Sequence, residues 1–327
     1  MYVGVFYAKI LIMTELIIIG GGPAGAAAAV YAARKQLKST LIVGEFGGQS
    51  TVSDDIQNWI GTPHISGADL AKSLEAHVNE YKADVIDIKK GLWVKNITKT
   101  TDAQGKNVFT VHTKNNAGIE ETFEAKAVLI TTGSIRRKLP AIDADKFEHK
   151  GVTYCASCDG PVFSGQDVVV VGGGNAALES VMQLLAYCKS VTLINRSENF
   201  RADPVTVEKV LAQPNVKLIK NANIVKVNGN VFVESIDYVV EGQEPVNLHT
   251  AGVFVEIGQI PNTEFVSDLV DRTPYGNIIV DPMRQTTSIA GIWAAGDCTD
   301  GLYHQNNIAA GDAVKALEDI YQWVKKN

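Results

Sequence analysis

Cysteine is scarce in this chain. Four in 327 residues are too few for the disulfide scaffold that holds small secreted domains together. No stretch approaches the roughly 18–20 unbroken apolar residues of a membrane span, so no membrane role is expected. Basic excess is also missing: 30 lysines and arginines stand against 36 aspartates and glutamates, a net charge of −6. That balance argues against a nucleic-acid partner, and the cluster Arg136-Arg137-Lys138 reads as solvated surface. Met1–Ile12 lacks the basic start and small-residue cleavage site of a signal peptide. It is expected to be an upstream start or added arm, with Met13 the natural start and the cytoplasm the compartment. What remains is ordinary globular composition, 46% hydrophobic and 20% charged, in a length that suits two domains of about 100–200 residues each.

Two stretches repeat one pattern. Glu15–Ile19 is a short apolar run ending in glycines, the mark of a buried strand. Ala24–Lys35 is alanine-rich and favours a helix, and Ser39–Val43 is a second strand ending at Glu45. Asp167–Val171, the helix Asn175–Cys188 and the strand Ser190–Ile194 follow the same order. The spacing from first glycine to strand end agrees, 25 residues from Gly20 to Glu45 and 24 from Gly172 to Arg196. Between the repeats, Leu70, Leu74, Val78 and Tyr81 share one helix face, and alternating segments surround Leu92–Ile97 and Val108–Thr113. Ala127–Ile130, Ala251–Ile257 and Gly291–Ala295 are further strands, and Asn306–Lys325 is a last helix. No low-complexity linker separates the halves. The expected class is α/β, with two Rossmann-like, three-layer nucleotide-binding domains. The second, residues 132–252, is inserted into the first, residues 1–131 and 253–327.

Gly20-x-Gly22-Pro23-Ala24-Gly25 follows a strand and opens a helix. Its first glycine permits a tight turn, its second lets backbone approach a pyrophosphate, and its third lets helix and strand pack closely. Glu45 stands where a carboxylate accepts hydrogen bonds from ribose hydroxyls. The second loop, Gly172-Gly173-Gly174-Asn175-Ala176-Ala177, has alanine at the third small position. After its second strand comes Asn195-Arg196-Ser197-Glu198-Asn199-Phe200-Arg201, where no carboxylate awaits a ribose hydroxyl. Arg196 and Arg201 suit a 2′-phosphate held by charge-assisted bonds, which favours NADPH over NADH.

Cys155-Ala156-Ser157-Cys158-Asp159-Gly160 lies just before the second loop. Three chemistries are open to this pair. Zinc needs two further ligands, and Cys188, Cys298 and six scattered histidines offer no partner motif, so no metal is expected. Inert buried thiols are the second reading. A redox-active dithiol is the third and leading one, with Asp159 either protonating a leaving thiolate or serving as a turn residue. Cys188 reads as a structural thiol on its helix, and Cys298 as one buried beside a cofactor.

Gly151-Val-Thr-Tyr-Cys155-Ala-Ser-Cys158-Asp-Gly-Pro161 resembles low-molecular-weight thioredoxin reductases and the flavoprotein part of bacterial alkyl hydroperoxide reductase. The likeness covers nearly the whole chain from about residue 13. It includes Gly47-Gly48-Gln49, Asn58-Trp59, Thr131-Thr132-Gly133, Gly258–Thr263, Ala294–Asp297 and Tyr303-His304-Gln305. It implies that the first nucleotide is FAD, with Asp297 on the ribityl chain, Gln305 and Asn58 at the isoalloxazine ring, and the helix from Asn306 aimed at that ring. Gly48, Gln49, Thr132, Gly133, Gly296 and His304 join the cofactor contacts by the same likeness. Cys158 would take electrons from the flavin and Cys155 would attack the partner's disulfide, while rotation of the inserted domain would bring nicotinamide and dithiol to the flavin in turn. The expected partner is thioredoxin or a similar small dithiol carrier, and the expected assembly a homodimer. Where thioredoxin reductases begin a phosphate motif with His-Arg-Arg, this chain has Asn195-Arg196-Ser197, and it also lacks the acidic residue of the NADH-using relatives. NADPH is therefore the leading donor, with NADH or a ferredoxin-like protein as alternatives. A glutaredoxin-like or peroxidase-system carrier is the alternative acceptor, and a flavin-based redox sensor the distant alternative. Without the paired thioredoxin-like domains of the peroxide-system relatives, and without the cysteine-bearing tail of larger reductases, electrons are expected to pass directly to a separate protein.

Overall fold

The computed structural model describes residues 13–53, 56 and 58–327, apart from the side chains of Ser157 and Cys158. The expectation for the first twelve residues lies outside that range. The described chain divides into two compact units, one running to Ile135 and resuming at Ile260–Asn327, the other Arg136–Gln259. These boundaries fall somewhat later than the 131/132 and 252/253 expected, because each crossing segment adds a short strand. Ser134–Arg136 and Gln259–Pro261 pair with each other as a two-stranded ribbon.

The first unit opens with β1 (Thr14–Gly21), α1 (Pro23–Arg34) and β2 (Ser39–Phe46). It continues through α2 (Gly67–Tyr81), β3 (Ile86–Lys90), β4 (Leu92–Thr101), β5 (Asn107–Asn115) and β6 (Glu120–Ile130). The sheet order is β3-β2-β1-β6-β5-β4, and the returning chain adds Ile292–Ala294 parallel to the end of β6. β3, β2, β1 and β6 run parallel, and β5 and β4 are antiparallel to their neighbours. Strand periodicity sends alternate side chains to opposite faces. Leu16 and Ile18 join the core with α1 and the C-terminal helix Asn306–Lys326, whereas Ile17 and Ile19 join the core with Phe109, Val111 and Ile278. All four β1 side chains are buried, each worth about 1.5–3 kcal/mol.

The second unit repeats the plan. It contains β8 (Val152–Thr153), α3 (Ala156–Asp159), β9 (Asp167–Val171), α4 (Asn175–Leu184), β10 (Ser190–Asn195), α5 (Pro204–Leu211) and β11 (Val216–Lys220), where β7 denotes the crossing strand Ser134–Arg136. There follow β12 (Ala222–Gly229), β13 (Val233–Val240), β14 (Val246–His249) and β15 (Gly252–Val255). One parallel sheet has the order β11-β10-β9-β15-β8, beside an antiparallel β12-β13-β14 sheet. Val168 and Val170 pack with α4 on one face, and Val169, Val253 and Val255 pack with Ile224, Val227 and Ile236 on the other. The helix α4 is shorter than the expected Asn175–Cys188. It closes at Leu184, and Tyr187 and Cys188 follow in turns whose N–H groups both bond the Leu184 carbonyl, at 3.0 and 2.7 Å.

The close approach of α1 to β1 depends on one glycine. A Cβ on Gly25 would stand 1.9 Å from the Gly20 carbonyl oxygen, whereas one on Gly22 would meet nothing within 4 Å. Gly25→Ala is therefore expected to lower Tm by roughly 3–10 °C, and Gly22→Ala by no more than about 2 °C. Equal shifts in a calorimetric scan would show that the turn does not need this contact.

Candidate active site

A cavity of about 800 Å³ opens at the carboxyl ends of the parallel strands of the first unit. Of the residues expected to bind the first nucleotide, it gathers Gly20, Gly22, Pro23, Ala24, Glu45, Gly48, Gln49, Thr132, Gly133, Gly296, Asp297 and Asn306. The first residues of α1 and of the C-terminal helix both line it, so two helix N-termini offer positive potential to an anion there. Gly296, at φ 78°, lies between the helices, where a Cβ would approach those of Ala309 and Ala24 at 3.1 and 3.4 Å.

Gly25, Asn58, His304 and Gln305 are not among the lining residues. Gly25 supports the turn from below. Asn58 Nδ2 donates to Gln305 Oε1 at 3.0 Å, Asn307 Nδ2 donates to the Asn58 carbonyl at 2.7 Å, and Ser50 Oγ donates to Asn306 Oδ1 at 3.0 Å. These bonds fix the start of the C-terminal helix. Thr132 Oγ1 donates to the Asn262 carbonyl at 2.6 Å, and Asn262 Nδ2 returns a bond to the Thr132 carbonyl at 3.1 Å. Burial raises the Asp297 pKa, His304 works against that rise, and Asp312 adds to it.

In the second unit the glycine loop is equally tight. A Cβ on Gly172 would stand 2.3 Å from the Glu256 carbonyl oxygen, one on Gly173 would meet Asn195 Oδ1 at 2.3 Å, and one on Gly174 would meet nothing within 4 Å. Asn175 and Ala176 begin α4. The amide of Asn175 is committed: Nδ2 donates to Asp203 Oδ2 at 3.0 Å and Oδ1 accepts the Asp203 N–H at 2.8 Å. Asn195 donates to the carbonyls of Ser197 and Asn199 at 2.8 and 3.1 Å, which a carboxylate could not do. The Arg201 N–H bonds the Gly173 carbonyl at 2.7 Å, so this loop is laced to the glycine turn. Arg196 and Arg201 are exposed and make no ion pair among the described residues. Glu198, the nearby acid, is drawn to Lys220 Nζ at 2.9 Å and Asn221 Nδ2 at 2.9 Å, and the Lys220 bond leads in holding its pKa low.

Cys155 is half-buried and disulfide-bonded. The backbone of Cys158 lies in α3, and the expectation for its side chain lies outside the described residues. Asp159 is built into this turn: its N–H donates to the Cys155 carbonyl at 3.1 Å, and its carboxylate accepts a bond from the Thr153 hydroxyl. That hydroxyl in turn accepts the Cys155 N–H at 3.4 Å.

The family model for pyridine nucleotide-disulphide oxidoreductases matches residues 14–313. The chain belongs to this family. Thioredoxin reductase from Streptococcus pyogenes is similar at 32% identity and a TM-score of 0.76, over 96% of this chain and 99% of that one. An NADH dehydrogenase of Bacillus subtilis is 37% identical over 96% of this chain, and a component of the alkyl hydroperoxide reductase of Escherichia coli is 37% identical over 95%. The chain spans only 59% and 58% of those two relatives' length.

This pyridine nucleotide-disulphide oxidoreductase is thus a thioredoxin-reductase-like flavoprotein, and its family implies FAD and a pyridine nucleotide. The first cavity fits a dinucleotide. Gly22 and Gly133, which line it, leave open space where side chains would stand. Sequence reasoning missed Trp93, Lys95 and Phe265, which also line the cavity. None lies in a glycine motif, so only the tertiary path of β4 and of the returning chain brings them there.

Among the described residues, no group of three or more histidine, cysteine or acidic side chains is gathered for a metal, and no helix is long and apolar enough to cross a membrane. Cys188 and Cys298 are free thiols, and burial pushes each up to about 11. At pH 8 the thiol form of each is therefore strongly favoured. Iodoacetamide at pH 8 is expected to label neither in the native oxidised protein, and to label Cys155 after mild reduction. Rapid modification of Cys188 or Cys298 before reduction would contradict this insulation.

Proposed function

We propose that this enzyme carries two electrons from NADPH, by way of FAD and the Cys155–Cys158 pair, to the disulfide of thioredoxin or a similar small dithiol carrier. The observation that carries this reading is the half-buried disulfide at Cys155, set in a polar turn with Asp159 and borne by the unit that contains the second glycine loop. FAD, when bound, supplies the two-electron relay between nicotinamide and dithiol. Glu45, which makes no ion pair among the described residues, accepts bonds from a ribose, the N-terminus of α1 faces the pyrophosphate, and that of the C-terminal helix faces the flavin. In the reduced pair the Cys155 thiolate attacks the carrier's disulfide and forms a mixed disulfide, and Asp159 supplies a proton to the departing carrier thiolate. Cys158 then attacks Cys155 Sγ, which closes the intramolecular disulfide and releases the carrier with both thiols. Two electrons leave the enzyme and two reach the carrier.

Donor choice rests on Arg196 and Arg201, whose guanidinium groups are unpaired among the described residues, and on the commitment of Glu198 to Lys220. NADH is the second reading, favoured by the name of the Bacillus subtilis relative. Likewise the Escherichia coli relative favours a peroxidase-system carrier as the second acceptor. The family resemblance supports a homodimer.

Anaerobic titration with each nucleotide, following the visible flavin band, tests the donor. Bleaching by NADPH at lower concentration than NADH is expected, and the reverse order would overturn the donor assignment. Arg196→Ala is expected to raise KM for NADPH by about 10-fold or more, the worth of a charge-assisted bond, and to change KM for NADH by less than about 2-fold. Cys155→Ser should leave flavin reduction intact and abolish carrier reduction. Undiminished carrier turnover in that variant would remove the dithiol from the pathway.

A further inference from the structure

The cavity of the first unit has an end that the glycine motif does not account for. In β4 the partners run Trp93 with Lys114 and Val94 with Thr113, and then Asn96 with His112, so Lys95 is an extra residue in the ladder. Such a bulge bends the strand and re-aims side chains. Leu92, Trp93, Val94 and the bulged Lys95 line the cavity that Glu45 also lines. The Trp93 indole is seated on the backbone one residue before Glu45. A Cβ on Gly44 would stand 2.7 Å from its Nε1 and 2.8 Å from its Cε2. The side chain still keeps 37% exposure, and Lys95 is exposed, with no ion pair among the described residues.

We propose that Trp93 is the stacking platform for the adenine ring of the bound dinucleotide, with Lys95 supplying a donor to the ring nitrogens, which are acceptors. The inference rests on the assignment of FAD to this unit. In a Rossmann turn the pyrophosphate lies at the glycines and the adenosine ribose at the acid ending the second strand. The base therefore lies beyond Glu45, where the bulged segment stands, and Asp297 and Asn306 belong to the flavin half. Gly44 is then explained as well: only glycine leaves room for the indole behind the base.

The test compares FAD with FMN, which lacks the adenylate, by fluorescence titration of flavin-stripped protein. Trp93→Ala is expected to raise the Kd for FAD roughly 5- to 150-fold, the range to which base–aromatic stacking of about 1–3 kcal/mol converts, and to leave the Kd for FMN unchanged. Trp93→Phe should keep FAD binding within about 3-fold of the unmodified protein. Lys95→Ala, an exposed change that does not threaten folding, should weaken FAD by about 3- to 10-fold and spare FMN. An unchanged FAD Kd in Trp93→Ala, or equal weakening of FAD and FMN in all variants, would overturn the proposal while the FAD assignment stood. Failure of the unmodified protein to bind FAD would instead overturn that assignment, and the adenine platform with it.

Discussion

Both units depend on the contact between the first glycine of a turn and a carbonyl at the end of the next strand. In the first unit, a Cβ on Gly20 would lie 2.3 Å from the Thr131 carbonyl oxygen, and in the second, one on Gly172 would lie 2.3 Å from that of Glu256. Both glycines have positive φ, 121° and 147°, so a side chain there meets two separate penalties. This approach lets the following helix start directly above the sheet edge, with its unpaired N–H groups facing the opening. The third small position differs between the units for a geometric reason. Gly25 faces the Gly20 carbonyl with no room for a methyl group, whereas Ala177 finds room beside Gly172, and a Cβ there would be 2.9 Å from its own. One architecture thus tolerates Gly-x-x-Gly in one unit and Gly-x-x-Ala in the other.

The electrostatic difference between the units arises one strand later. The first unit ends its second strand with Glu45 at the cavity, unpaired among the described residues. The second ends with Asn195, whose amide donates two bonds that shape its own loop. An acid at 195 would lose both bonds and meet two carbonyl oxygens instead. Glu198, an acid of the same loop, is held by two donors elsewhere. Arg196 and Arg201 make no ion pair among the described residues, and under the proposed donor assignment one arginine fewer than in thioredoxin reductases would leave a weaker positive site.

Much of this was legible in the sequence because it is local. The two βαβ repeats, the glycine turns, Glu45, the α2 face of Leu70, Leu74 and Val78, and the Cys-x-x-Cys turn are all carried by residues close together in the chain. What escaped was set by tertiary path. The bulge at Lys95 breaks the alternation that strand reading relies on, so Trp93 and Lys95 looked like ordinary strand residues. The commitment of Asn175 to Asp203 spans 28 residues and leaves no local signal. The helix α4 ended early because Tyr187 and Cys188 turn back onto Leu184, although the apolar pattern itself continued. The crossing points shifted because the linker strands pair only with each other, and nothing in either strand alone announces that pairing.

The placement of the two remaining thiols follows from the chemistry of the first two. The proposed exchange with a carrier requires a thiolate that protein disulfides can reach, and any second accessible thiolate in the chain would compete for the proposed Cys155–Cys158 bond. Cys298 lies immediately after Asp297, which lines the cavity, yet its sulfur donates to the carbonyls of Ile130 and Ala295 at 3.6 and 3.4 Å. It is fully buried, and burial leads in raising its pKa against the opposing hydrogen bonds from Gly133 and Thr132. Cys188 is buried among Leu184, Val168 and Val191, and burial alone raises its pKa. Solvation thus partitions reactivity: burial holds the two core thiols protonated, whereas the disulfide-bonded Cys155 sits half-buried in a polar turn, as the proposed exchange requires.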